Sequence, residues 1–363
     1  MIHRWFYIGL CLMMSLPLLA QDGLDTTELE FLLDDYVAAT DPAVVLYVDQ
    51  GADSWVGVRG LADLDAGVAA TSDDLFRIGS VTKPLVATVV LQLVDAGAIA
   101  LDDPIADYLP PEIVANVANA DVATVREMLQ MTSGIPSYTQ SDAFDDDVFA
   151  NPTRWWTPEA TLTYVYDQPA DFEAGTDYFY SNSNYNLAQI LIETVTDMPL
   201  AQVLDEMIFT PLEMTTCYLE TDATFAQEIV RGYALDDDGQ FYDVTSINDG
   251  VGMGDGGVIC TARDLAKFPR ALYAGDLIDF PTLDAMLTTV EDGDGGAYGL
   301  GIGYEDDFYG WQISHDGSTS GFQSNMAYLV DEDVTVIILT NNFDSDLVAD
   351  LTLDAQAVAL GDY

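Results

Sequence analysis

The sequence runs to 363 residues with a formal charge of -52, from 62 acidic residues (48 Asp and 14 Glu) against 8 Arg and 2 Lys. So negative a chain repels nucleic acid and anionic lipid, because binding either needs a Lys/Arg patch to displace counterions, and neither is an expected partner. Hydrophobic residues at 49% and aromatic residues at 11% also exclude a disordered acidic chain, and the length allows one large domain or two intimate ones.

Residues 1–20 carry His3 and Arg4, an apolar run from Trp5 through Leu19, and Ala20 at the boundary. This is the pattern of a secretory signal peptide, so the mature chain is expected to begin near Gln21 and to be exported to the periplasm or the exterior. An uncleaved anchor is the competing reading; the short run and Pro17 speak against it. No lipidation Cys follows the run and no later segment is long and apolar enough to span a bilayer, so no stable membrane insertion is expected after cleavage. The spread of Asp with almost no Lys suits a surface that stays hydrated in salt, or reflects drift in surface composition.

Val44 to Val48 and Ser54 to Val58 are β-branched runs separated by Gly51 and Asp53, which predicts an antiparallel hairpin. From Val81 to Ala96 the positions Leu85, Val89 and Leu93 follow helical spacing and Gly97 stops the helix. Helical patterns recur at Thr124 to Met131 and Asn186 to Thr196. A second hairpin is predicted from Asn325–Val330 and Val334–Thr340, and a last helix carries Leu347, Leu351, Ala355 and Val358 on one face. Strands at both ends with helices between imply an α+β fold: an antiparallel sheet built from about 21–80 and 290–363, flanked by helices, with a mainly helical lobe inserted at about 81–289. Cys217 and Cys260 are the cysteines left after signal removal; in an oxidising compartment they form one disulfide or remain two buried thiols. The acidic runs Asp145-Asp146-Asp147, Asp236-Asp237-Asp238 and Asp292-Gly293-Asp294 lack a full Ca2+-loop pattern and read as solvated loops.

The scarcity of bases makes the remaining ones informative. Past the signal segment the chain has one His, His315, and two Lys, Lys83 and Lys267. Lys83 lies three residues after Ser80, so on a helix its amine reaches the Ser hydroxyl at the helix N-terminus. A Ser hydroxyl needs a neighbour to take its proton, and an amine of ordinary pKa, about 10.4, is neutral in only about one molecule in 2,500 at pH 7, so burial or a nearby cation must lower it. The competing reading for Lys83 is a surface helix residue. Tyr180-Ser181-Asn182 offers a phenol for acid-base work and an amide able to bond an amine or a substrate; its competing reading is an ordinary aromatic turn. In His315-Asp316-Gly317-Ser318-Thr319, Gly317 permits close backbone approach and the Ser318 amide is a candidate oxyanion donor opposite that of Ser80; a lone His is also a common structural residue.

Taken together, the Ser-x-x-Lys, Tyr-x-Asn and His-x-Gly motifs in this order resemble the penicillin-recognising serine hydrolases. The branch closest in pattern contains class C β-lactamases and D-Ala-D-Ala carboxypeptidases. Segments such as Met128 to Pro136, Gly256 to Leu265 and Gly299 to Gly303 extend the resemblance over nearly the whole mature chain. The resemblance implies a β-lactamase/transpeptidase-like fold and hydrolysis through an acyl-Ser80 intermediate, on D-amino-acid peptides or related amides, with D-Ala-D-Ala carboxypeptidase or β-lactamase-like activity as the nearest labels, an esterase of the same fold as the alternative and a non-catalytic sensor as a third. It implies that Lys83 takes the Ser80 proton, Tyr180 relays a proton to the leaving group, Asn182 orients Lys83 and the substrate, and His315 tunes Tyr180. The amides of Ser80 and Ser318 would hold the oxyanion. The partner implied is a small peptide, amide or ester; no metal or cofactor is implied. One departure stands out: the middle of the third motif is commonly Thr or Ser, which helps hold a substrate carboxylate, and here it is Asp316. Facing the site, Asp316 would repel an anionic substrate by about 1–4 kcal/mol; facing away, it would leave Ser318 and Thr319 to serve.

Overall fold

The computed structural model describes residues 23–221, 229–293, 295–343 and 347–363. The signal peptide expected at residues 1–20 lies outside the described residues, as does Asp294 of the third acidic run.

The first helix, α1 (Thr26–Tyr36), is capped by Asp25, whose carboxylate accepts from the amides of Thr27 and Glu28. Strands β1 (Val44–Gln50) and β2 (Asp53–Arg59) form the first expected hairpin, longer by one or two residues at its ends. After the inserted region come β3 (Val290–Glu291), β4 (Ala297–Tyr298), β5 (Gly303–Asp307), β6 (Gly310–Thr319), β7 (Phe322–Leu329) and β8 (Val334–Thr340), followed by a helix at Leu347–Leu360. The eight strands make one sheet in the order β3-β4-β5-β6-β7-β8-β1-β2, every adjacent pair antiparallel. The two ends of the chain therefore meet within one sheet, where β1 pairs with β8 through Val48 opposite Val336.

Side-chain alternation splits the core into two layers. Val44, Leu46 and Val48 of β1 pack with Leu29 and Leu33 of α1 and with Leu351 and Ala355 of the last helix, which carries the apolar face expected of it. Val45 and Tyr47 point the other way, into the larger core shared with the inserted region. That core is centred on α2 (Thr82–Asp95), which is buried on nearly all sides, and on α3 (Asn182–Thr196) packed beside it. Such helices are read from burial all round rather than from one apolar stripe.

Three local features differ from the sequence-based expectation. α3 starts at Asn182, four residues before the expected Asn186. The polar run Asn182-Ser183-Asn184 resembles a loop, yet its side chains are paired inside the protein: Ser133 Oγ donates to Asn184 Oδ1 at 2.7 Å and the Tyr138 amide to Ser183 Oγ at 3.0 Å. Asp145, Asp146 and Asp147 lie in a helix, Asp142–Ala150, and not in a solvated loop, because Phe144 and Val148 one turn apart are buried and hold the segment helical. The third is a small antiparallel sheet in which Val258–Cys260, within the mainly helical inserted region, pairs with Tyr218–Leu219 on one side and with Phe76–Arg77, just before that region, on the other, and so supports the Ser80 turn. No helix among the described residues is long and apolar enough to cross a membrane.

Cys217 and Cys260 are joined as a disulfide across this small sheet, closing a 43-residue separation. Replacing both by Ser is expected to lower unfolding stability by about 2–4 kcal/mol, through release of the unfolded chain from that loop. Denaturant titration checks it; unchanged stability would mean that the crosslink does not restrict the unfolded state.

Candidate active site

Ser80 sits in a tight 3-10 turn, Gly79–Val81, that feeds directly into α2. The turn is held from several sides. The Ile78 amide donates to Val258 O at 3.0 Å, the Val258 amide to Thr82 Oγ1 at 3.0 Å, and Ser324 Oγ to Ile78 O at 2.8 Å. It presses against β6 so closely that both contact points must be glycine. Gly79, with φ of +49°, would place a Cβ 2.7 Å from Ser318 N, and a Cβ on Gly317 would lie 2.1 Å from Ile78 O. This approach lays the Ser318 backbone beside Ser80, the arrangement in which two main-chain amides can hold an oxyanion.

Lys83 is fully buried, in contrast to a surface helix residue. Its Nζ donates to Ser80 Oγ at 2.9 Å and to the main-chain O of Asp255 at 2.6 Å, and lies 4.9 Å from the centre of the Tyr180 ring. Burial lowers its pKa to about 8 against the opposing charges of Asp255 and Asp316. At that value about one amine in ten is neutral at pH 7, roughly two hundred times the fraction of an ordinary lysine.

Tyr180 contacts the Ser80 hydroxyl, which favours its phenolate, but burial outweighs this and the charge of Asp316 adds to it, so its pKa stands well above the ordinary value. Tyr180 is thus a phenol that donates a proton, and Lys83 is the group fitted to accept one. His315 lies with Nδ1 2.6 Å from Asp316 O and Nε2 3.1 Å from the Tyr298 hydroxyl. A carbonyl only accepts, so Nδ1 carries the proton and Nε2 accepts from Tyr298. Burial, helped by the charge of Lys83, lowers the His315 pKa to about 4, which keeps the ring neutral.

Ser80, Lys83, Tyr180, His315, Gly317 and Ser318 are therefore brought to one place. Two of the contacts expected from the resemblance are not direct in the structure. The Asn182 side chain donates to Thr139 Oγ1 at 3.1 Å, while the orienting partner of Lys83 is the Asp255 carbonyl. The ring nitrogen of His315 bonds Tyr298, and the Tyr180 ring stands 6.3 Å away, centre to centre. Asn182 still lines the cavity in front of Ser80.

Along β6 the side chains alternate, with His315, Gly317 and Thr319 buried and Asp316 and Ser318 exposed. Asp316 lines the groove that Tyr178, Tyr180 and Tyr298 form, and its charge reaches Lys83, Tyr180 and His315. Thr319 is not free: its hydroxyl donates to Asp249 Oδ1 at 2.9 Å, and the Ser320 amide and hydroxyl donate to Asp249 Oδ2, each at 2.8 Å. Of the positions that would bind a substrate carboxylate, Asp316 is itself a carboxylate and Thr319 is bonded to one, while Ser318 stays exposed. Asp249 and Asp255 were not singled out in the sequence, nor was Tyr138, whose hydroxyl donates to Asp255 Oδ2 at 2.7 Å.

The model of the family described as Beta-lactamase matches residues 33–359 of this chain. Penicillin-binding protein 4* of Bacillus subtilis is 25% identical over 302 residues, covering 78% of this chain and 64% of the relative. The D-aminopeptidase of Brucella anthropi is 27% identical over 305 residues, covering 83% and 56% respectively. The chain thus spans less than two thirds of the length of these two curated relatives. Among solved structures, a D-stereospecific amidohydrolase from Streptomyces sp. superposes with a TM-score of 0.80 at 28% identity, covering 91% of this chain and 98% of that one.

Proposed function

Because the chain belongs to the Beta-lactamase family, we propose that it is an exported serine hydrolase that cleaves amides of D-amino acids and related peptides through an acyl-Ser80 intermediate. The observation that carries this reading is the fully buried Lys83 with its Nζ 2.9 Å from Ser80 Oγ. Neutral Lys83 takes the Ser80 proton as Oγ attacks the carbonyl carbon. The amides of Ser80 and Ser318 stabilise the oxyanion, and Tyr180 donates a proton to the departing nitrogen. The Lys83 ammonium then returns a proton to the Tyr180 phenolate, which leaves the amine neutral; water attacks the acyl enzyme with Lys83 accepting its proton, and that proton passes to Ser80 Oγ as the acid is released.

Within the family, two activities require a carboxylate beside the scissile bond: D-Ala-D-Ala carboxypeptidase and β-lactamase action. Asp316 in the Tyr180 groove and the commitment of Thr319 to Asp249 weigh against both. Amides, or esters in the alternative reading, lack that carboxylate and meet no such repulsion. The Cys217–Cys260 disulfide supports export, since such bonds persist in oxidising compartments.

The test is incubation with a D-amino-acid amide, a D-Ala-D-Ala peptide, nitrocefin and a p-nitrophenyl ester, with intact-mass and peptide mass spectrometry. An acyl adduct on the Ser80 peptide, absent in Ser80→Ala, is expected. Turnover that survives in Ser80→Ala would overturn the reading, and turnover of the ester alone would favour the esterase.

A further inference from the structure

Two hollows adjoin the catalytic groups, one walled by Tyr180 and His315 and the other by Ser80. The groove lined by Tyr180, Tyr298 and Asp316 lies on the side of the proton donor, and so receives the leaving group. The other, a cavity of about 100 Å³, is lined by Ser80, Asn182, Ser318, Thr319, Asp249 and Asp255, and so receives the acyl half. It is well below the roughly 300–1,000 Å³ of sites for larger ligands, which limits it to a small group.

Asp255 is 6% exposed, and its two carboxylate oxygens are used unequally. Oδ2 accepts from Tyr138, while Oδ1 is buried with no hydrogen-bond partner. A buried carboxylate oxygen left unpaired is costly, and native proteins rarely leave one so without a use. Asp249 adds a second negative charge close enough to act on Asp255. Since the Asp255 carbonyl and the Ser80 hydroxyl share the Lys83 amine as donor, Asp255 stands one side chain away from the reacting carbonyl. A single unpaired acceptor among carboxylates suits one N–H of an ammonium better than a hard metal ion, which requires several oxygens at once.

We infer that this cavity is an ammonium subsite, in which Asp255 Oδ1, aided by the charge of Asp249, selects substrates whose acyl half carries a free amine near the scissile carbonyl. The inference rests on the acyl-Ser80 reading and narrows it to amino-acyl amides and esters. Asp316 on the leaving-group side acts in the same direction by disfavouring a free carboxylate there.

The experiment compares kcat/KM for alanine p-nitroanilide and N-acetylalanine p-nitroanilide, in both D and L forms, in wild type and Asp255→Asn. Wild type is expected to prefer the free amine by roughly 10- to 100-fold, the range of one charge-assisted hydrogen bond, and Asp255→Asn to bring the ratio close to one. Because each ratio is taken within one protein, a general loss of activity cancels. Should the variant fail to fold or turn over neither substrate, inhibition of wild-type p-nitrophenyl acetate hydrolysis decides, with alaninamide expected to bind at least about tenfold more tightly than N-acetylalaninamide. Equal kcat/KM for amine and acetamide in wild type, an unchanged ratio in the variant, or equal inhibition by the two amides would overturn the ammonium subsite. If p-nitrophenyl acetate still acylates Ser80 in that case, the hydrolase reading stands and only the subsite falls; if no substrate acylates Ser80, both fall.

Discussion

Lys83→Ala is expected to lower the rate of Ser80 acylation by roughly 10²- to 10⁴-fold, the contribution of a positioned general base. The amine is the group within 2.9 Å of Ser80 Oγ that can accept its proton, because His315 bonds Tyr298 and Asp316 O, and Tyr180 is held as a neutral phenol by burial. The pH dependence follows from the same group. Its neutral form is active, so with an uncharged ester as substrate kcat/KM should rise with pH through a limb near 8 and level off above it. A limb near 10 would mean that the amine is not desolvated, and a limb below 6 would point to a carboxylate base. Asp316 raises the Lys83 pKa by its charge, so Asp316→Asn should move the limb to lower pH. Stopped-flow acylation with p-nitrophenyl acetate across pH 5 to 11 reads both effects, and a Lys83→Ala variant acylated at the wild-type rate would remove Lys83 from the mechanism.

How much of this was legible depends on the abundance of each residue type. In a chain with 2 Lys, the one at position 83 could be examined by itself, and its spacing from Ser80 pointed to the arrangement the structure shows. Asp255 was hidden by the opposite circumstance. Among 62 acidic residues nothing local marks the one that folding buries, and only the contacts of Tyr138 and Lys83, 117 and 172 positions away, distinguish it. The terminal hairpins were readable because their strands alternate or run apolar between turn residues, and so was the sheet joining the two ends. The small sheet behind Ser80 was not, since strands of two or three residues carry no period. The early start of α3 is hidden for a related reason: Asn182, Ser183 and Asn184 have loop-forming preferences, and their pairing with distant side-chain and main-chain groups overrides them. Roles taken from resemblance alone, Asn182 orienting Lys83 and His315 tuning Tyr180, depend on side-chain directions that spacing does not specify.

Glu220→Ala is expected to lower unfolding stability by about 3–5 kcal/mol, because it strands a buried arginine. Arg77 is three residues before Ser80, and both members of the pair are shielded from water, with 4% and 0% of their side-chain surface exposed. The guanidinium grips the carboxylate at two points, Nε to Oε2 at 2.8 Å and Nη2 to Oε1 at 2.9 Å, and spends a third donor on Thr245 O at 2.9 Å. It thereby ties the strand that leads to Ser80 to the residue following the Tyr218–Leu219 strand, whose own amide donates to Gly257 O at 2.9 Å beside Asp255. The pair joins the support of the nucleophile to the support of the residue that orients its base. Losing it should therefore also slow acylation in the molecules that remain folded. Replacing both partners with apolar residues, Arg77→Met with Glu220→Leu, should recover most of the stability, since no buried charge is left unpaired. Acylation should recover less, because the bidentate grip that sets the position of the strand is still gone. Urea unfolding and acylation rates measured on the two single variants and the double variant separate these effects. A Glu220→Ala loss under about 1 kcal/mol would show the pair to be hydrated in solution, and full recovery of acylation in the double variant would show that packing alone positions Ser80.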